Sequence, residues 1–291
     1  MIKKVYSFSM QGKRDSNEDQ DIYVLNLDNS NKNLNNVNFF GVFDGHGGDS
    51  VSKYLKNNLS QFFVNKFEKP VYIDKSFSKK YFSKVFDLIQ MKMKNTNYNQ
   101  VKHCGATACV GVHYRDENNR DRLWILNTGD SRSVMCGAGN KAEQLSIDHK
   151  PNYPSEKKRI EDMGGEIEFD GADWRIKDLS LSRAFGDLNC TPYVTHSPEI
   201  FRYKITSDDK FIIFACDGLW DVLSNQEAVD YVLKSMAKNP YSDHAKNLAE
   251  YAYAKGSLDN ITVIIYLIEH SKEKTSKVAT KNIIEKYLYM G

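Results

Sequence analysis

Short apolar runs of strand length alternate along the chain with stretches whose apolar residues recur every three to four positions. KKVYSFSM (3–10), DIYVLNL (21–27), FFGVF (39–43), GATACVGVHY (105–114), DRLWILNTG (121–129), SVMCG (133–137), KFIIFAC (210–216) and ITVIIYLIEH (261–270) read as strands. Residues 50–67 carry Val51, Tyr54, Leu55, Leu59, Phe62 and Phe63 at helical spacing, and Phe77, Tyr81, Phe82, Val85, Phe86 and Ile89 form a second stripe after Ser76. A short helix from Ser155 stops at Met163-Gly164-Gly165. Ser224 and Glu227 form a capping box opening another helix, Ser242 to Lys255 is the next, and KVATKNIIEKYLYM (277–290) the last. The polar, Asn-rich tract 28–38 reads as a hairpin loop, and 166–200 as irregular chain. Strands come in groups and helices in pairs, which is not the alternation of a doubly wound fold and predicts antiparallel sheets covered by helices. No repeat or linker divides residues 1–291, so a single domain is expected.

Composition narrows this picture. The 291 residues are 41% hydrophobic and 27% charged, with a net charge of +2, the profile of a globular chain. The charges are interspersed, so no nucleic-acid partner is expected. No window approaches the ~18 apolar residues of a membrane span, so no membrane partner is expected either. Oligomeric state is left open, a monomer being the default expectation. Cys104, Cys109, Cys136, Cys190 and Cys216 are odd in number and contain no CxxC pair, which reads as reduced thiols in the cytoplasm and/or nucleus. The sequon at Asn260 follows Asp259 directly, and a glycan there would crowd the acid, which supports the same location.

Acids recur at strand ends. Asp44 follows FFGVF, Asp217 follows KFIIFAC, Asp130 follows LWILNTG, Asp259 precedes ITVIIYLI, and Glu18 and Asp19 lie between the first two strands. Several carboxylates in so crowded a place repel one another and call for cations. An all-oxygen set favours Mg²⁺ or Mn²⁺ over Zn²⁺. Two such ions ~3.5–4 Å apart can share and ionise a bridging water. Gly45 and Gly218 beside two of these acids permit close backbone approach, whereas Asp170-Gly171 reads as a hairpin turn.

RDSNED (14–19), VFDGHGG (42–48), GATA (105–108), NTGDSR (127–132), DHKP (148–151), LSLSRAFGD (179–187), ACDGLWD (215–221) and GSLDNITVI (256–264) together resemble the blocks of the metal-dependent serine/threonine protein phosphatases of type 2C, in order and across nearly the whole chain. The resemblance implies an α+β, four-layer α/β/β/α sandwich of two mostly antiparallel sheets flanked by pairs of helices, with a flap at about 152–192. It implies two Mg²⁺ or Mn²⁺ ions and a weaker third. Asp44 would bridge the pair, Asp217 and Asp259 would complete one site, and Glu18 and the Gly45 carbonyl would serve the other. Asp19 would orient water from behind, and Asp130 and Asp221 would share the third ion with Asp217. Arg14 would hold the phosphate of a phosphorylated protein substrate, and His46 would protonate the leaving serine or threonine oxygen after attack by the bridging hydroxide. His149 and Lys150 stand evenly between a site role and ordinary loop residues. Two departures from the family pattern stand out: Ala106 where a hydroxyl is common, and an uncharged LNCTPYVTHSPEI after SRAFGD. Two rival readings remain, an inactive relative acting as a regulatory binding protein and a different metallohydrolase, and the intact acid set weighs against the first.

Overall fold

A computed structural model describes residues 4–27, 37–63, 75–116, 118 and 120–269. The predicted closing helix 277–290 and most of the Asn-rich tract lie outside the described residues. Two five-stranded sheets form the centre. In the first, the order is Val5–Met10, Ile261–Leu267, Phe211–Ala215, Arg132–Cys136 and Ala142–Gln144. In the second it is Glu199–Lys204, Asp121–Thr128, Ala108–Arg115, Asn38–Phe43 and Gln20–Val24. Every neighbouring pair is antiparallel.

The period of two in the strands sets the layers. Phe40, Val42, Leu123 and Ile125 of one sheet meet Ile212, Phe214, Ile264 and Tyr266 of the other in a buried core between the sheets. The alternate residues face outward. Phe39, Phe43, Val110, Val112 and Trp124 are covered by the helices Ser50–Asn58 and Lys75–Thr96. Phe211, Ile213, Val263 and Ile265 are covered by Asn225–Lys238 and His244–Ala254. The result is helix, sheet, sheet, helix, as expected. Residues 160–194 add a small core of their own around Ile160, Ile176, Leu181 and Val194.

Several boundaries differ from the sequence reading. The expected strand 105–114 is broken at Thr107. The first helix ends at Asn58 and tightens into a 3-10 turn, Leu59–Phe63. The helix expected from Ser242 starts at His244, because the Asp243 carboxylate accepts the Lys246 N–H. The Ser224 capping box forms in full, and Asp170 accepts the N–H groups of Ala172 and Asp173 in the predicted turn.

Register decides where the strand ends fall. Gln20 pairs with Phe43, Ala108 with Thr128, Arg132 with Ala215, and Met10 with Ile261. The residues just beyond these pairs, Asp19, Asp44, Asp130, Asp217 and Asp259, therefore meet at one end of both sheets. At the opposite end, Asn38, Tyr266 and His113 form a buried hydrogen-bonded group, with His113 Nε2 3.1 Å from Asp121.

Candidate active site

The shared end of the sheets opens into a cleft of about 420 Å³. Arg14, Glu18, Asp44, Gly45, His46, Asp130, Asp217 and Asp259 all line it. Of the acids singled out from the sequence, Asp19 and Asp221 do not: Asp19 is buried at 3% exposure, and Asp221 is exposed at the end of the Asp217–Trp220 turn.

Local structure fixes each acid. Asp44 donates its N–H to the Thr107 hydroxyl at 3.1 Å, and the Thr107 N–H donates back to the Asp44 carbonyl at 2.8 Å. Thr107 also bonds Ser131, one residue past Asp130, at 2.7 Å. Glu18 accepts the Gly48 N–H through Oε2 at 2.8 Å and gives its own N–H to Asn260 Oδ1 at 2.9 Å. The Asn260 amide donates to the carbonyls of Gln11 and Ser16, tying the Arg14 loop to the Asp259 loop. The sequon asparagine is thus a structural brace. Gly218 is required by close approach: a Cβ there would stand 2.0 Å from the Asn260 carbonyl.

Burial, then the charges of Asp217, Asp19, Asp130 and Asp259, push the Asp44 carboxyl well above its usual range. Burial, then Asp130 and Asp221, do the same to Asp217. Asp19 is pushed up to about 6, mainly by burial, and its Oδ2 is buried without a hydrogen-bond partner among the described residues. Oxygens of Asp19 and Asp44 and the Cys216 sulfur lie within 4.8 Å of one another. The sulfur is engaged by the Thr262 N–H and the Asn260 carbonyl, and burial keeps the thiol protonated. The donors left for an ion are oxygens, and the crowded carboxylates fit hard divalent cations.

Two cations already reach the acids. Arg14 Nη2 lies 2.6 Å from Asp259 Oδ2, not on the neighbouring Asp15 or Glu18, while 61% of its side chain stays exposed. Lys150 Nζ lies 2.5 Å from Asp130 Oδ2. His46 Nε2 lies 2.7 Å from Asp187 Oδ2. Burial works against charge on His46, but the bond to Asp187 outweighs it and raises the imidazole pKa. Gly105 makes room for this pair, since a Cβ there would stand 2.1 Å from Asp187 Oδ2 and 2.5 Å from His46 Nε2.

Sequence reasoning did not single out Asp187 or Thr107. The only signal for Asp187 was its place at the end of LSLSRAFGD, and nothing local links it to His46, 141 residues away.

A fold of two helix-faced antiparallel sheets ending in an acid-lined cleft is that of the metal-dependent phosphatases. The family model for protein phosphatase 2C matches residues 4–261. A probable protein phosphatase 2C of Oryza sativa subsp. japonica is 37% identical over 265 residues, covering 91% of this chain and 65% of that protein. A PP2C-like domain-containing protein of Acanthamoeba polyphaga mimivirus is 45% identical over 181 residues, covering 54% of this chain and 99% of that protein. Among solved structures, a Caenorhabditis elegans sex determining protein superposes with a TM-score of 0.80 at 25% identity, covering 91% of this chain and 64% of that one. A serine-threonine phosphatase 2C from Toxoplasma gondii superposes with a TM-score of 0.78 at 24% identity, covering 91% and 94%. The chain belongs to the protein phosphatase 2C family, a family of metal-dependent hydrolases.

Proposed function

We propose that this chain hydrolyses phosphoserine and phosphothreonine in protein substrates, using two Mg²⁺ or Mn²⁺ ions. The observation that carries the reading is the convergence of carboxylates from separate parts of the chain on one cleft, with Arg14 and His46 beside them. Glu18, Asp44, the Gly45 carbonyl, Asp217 and Asp259 would hold the pair, and Asp19 would orient water from below. Asp130 and Asp221, with Asp217, would take a weaker third ion. When bound, such ions supply Lewis acidity and a nucleophilic hydroxide near neutral pH.

The remaining work falls to side chains. Arg14 is exposed enough to turn from Asp259 and grip two oxygens of the substrate phosphate with its planar fork. Asp187 holds His46 through Nε2 and favours the charged ring, which suits His46 to protonate the leaving serine or threonine oxygen. Bound cations would relieve the mutual repulsion of Asp44 and Asp217. Residues of about 152–192 would act as a flap: Arg175, Asp178 and Leu181 already line the cleft. The same reading takes residues 1–291 as one phosphatase domain, monomeric, in the cytoplasm or nucleus, with no nucleic-acid or membrane partner.

The test is phosphate release from a phosphothreonine peptide and from p-nitrophenyl phosphate under Mn²⁺ or Mg²⁺ titration. Activity should need the metal, and Asp217→Asn should lose most of it while keeping its fold. Full activity of that variant, or of the protein in excess chelator, refutes the mechanism.

A further inference from the structure

The outer acids, Asp130 and Asp221 with Asp217 shared with the inner group, hold a cation that is mostly buried, unlike the exposed Arg14 at Asp259. Lys150 Nζ sits 2.5 Å from Asp130 Oδ2, with Asp130 2% exposed and the lysine side chain 25% exposed. Burial works against the ammonium, but Asp130, Asp217 and Asp221 together hold it charged. The effect is mutual, because Lys150 also favours the charged forms of Asp217 and Asp221. Among the described residues no ion pair reaches Asp44 or Asp19, and the cation at Asp259 is the exposed Arg14.

The backbone around Lys150 is pinned. Arg132 donates to both oxygens of Asp148, the shortest contact being 2.6 Å. The His149 N–H donates to the Gly129 carbonyl, and the Gly129 N–H donates to His149 Nδ1, each at 3.1 Å. Lys150 and Asp130 therefore leave adjacent, tied points of the chain, and the long lysine side chain has the greater reach to change their distance. Its four-carbon stem is flexible, and its ammonium is strongly hydrated when released. An ammonium and a divalent ion cannot both sit against one carboxylate, because they repel.

We propose that Lys150 is the resident counter-cation of the outer acids, and that a third divalent ion binds Asp130 and Asp221 only by displacing it. This rests on the two-ion reading above. It gives a physical reason for graded affinity: the inner acids are left to external ions, while the outer acids are neutralised from within. The outer ion is then admitted only at high metal concentration, with the lysine swinging into the solvent.

Mn²⁺ binding to the full chain, followed by titration calorimetry and by the electron paramagnetic resonance signal of free Mn²⁺, tests this without activity. Wild type should bind two ions tightly and a third weakly. Lys150→Gln should keep the tight pair and bind the third at least about tenfold more tightly, the scale set by removing one nearby like charge. Lys150→Arg should match wild type at the third site, and adding Asp130→Asn to Lys150→Gln should abolish it. Metal-free Lys150→Gln should melt below wild type and gain more from Mn²⁺. If it does not fold, Lys150→Met, which keeps the stem, takes its place. An unchanged third affinity in the neutral variant, or equal tightening in Lys150→Arg, overturns the proposal while the tight pair stands. Absence of the tight pair in wild type overturns the two-ion reading and this proposal with it.

Discussion

Glu156, near the start of the Pro154–Asp162 helix, should contribute a pH-dependent clamp. Arg183 grips both its oxygens, at 2.5 and 3.1 Å, and Arg159 and the Ser182 hydroxyl each reach Oε2 at 2.8 Å. Burial would raise its pKa, but the two arginines more than reverse this and lower it from 4.5 to about 2. That drop corresponds to about 3 kcal/mol of stability at 1.36 kcal/mol per unit. Allowing for solvent screening around the outward-facing guanidinium groups leaves about 2 kcal/mol. A lowered folded-state pKa means that the unfolded chain takes up the proton first. The contribution is therefore complete above about pH 4.5, and is lost as pH falls toward 2. Glu156→Gln should unfold about 4–8 °C below wild type at pH 7, at the ~2–4 °C per kcal/mol expected for a domain of this size. The gap should close as both proteins are compared at pH 4, 3.5 and 3 by denaturant titration. Equal midpoints at pH 7, or a gap that stays constant on acidification, would show that the clamp does not work through charge.

Gly105→Ala should force His46 and Asp187 apart and lower kcat about a hundredfold, the low end for losing a positioned general acid. A circular dichroism spectrum like wild type would show that the fold survives, and unchanged kcat would remove the pair from the chemistry. Arg14→Ala should raise KM for phosphopeptides with little change in melting temperature, because its side chain is 61% exposed. A KM equal to wild type would leave Arg14 as a surface partner of Asp259. Ser224→Ala should cost about 1 kcal/mol by removing a helix cap, read as a lower denaturation midpoint with phosphatase activity unchanged.

The layers were legible because burial on both faces leaves plain apolar runs such as FIIFA, while the covering helices show a stripe. The acids were legible for a related reason: Asp44 and Asp217 interrupt such runs abruptly. What the sequence could not show is register. Nothing local says that Gln20 faces Phe43 or that Met10 faces Ile261, yet those pairings gather the acids. Thr107 was missed because β-branched residues suit strands, and only the contact with Asp44 reveals why the strand breaks there. Asn260 drew notice only as a sequon set aside because a glycan would crowd Asp259, and its amide proves to be engaged with Gln11, Ser16 and Glu18. Lys150, one loop residue among several in DHKP, gained meaning only from its distance to Asp130.

The two ends of the sandwich are fastened by different means. Asn38, His113 and Tyr266 latch one end with short-range bonds that need nothing from outside the protein. The catalytic end is also tied across the seam, by Thr107 to Ser131 and by the Glu18 N–H to Asn260, but there the ties work against like charges. Repulsion between the two sheets is thus concentrated at the mouth of the sandwich, and the far end carries none of it.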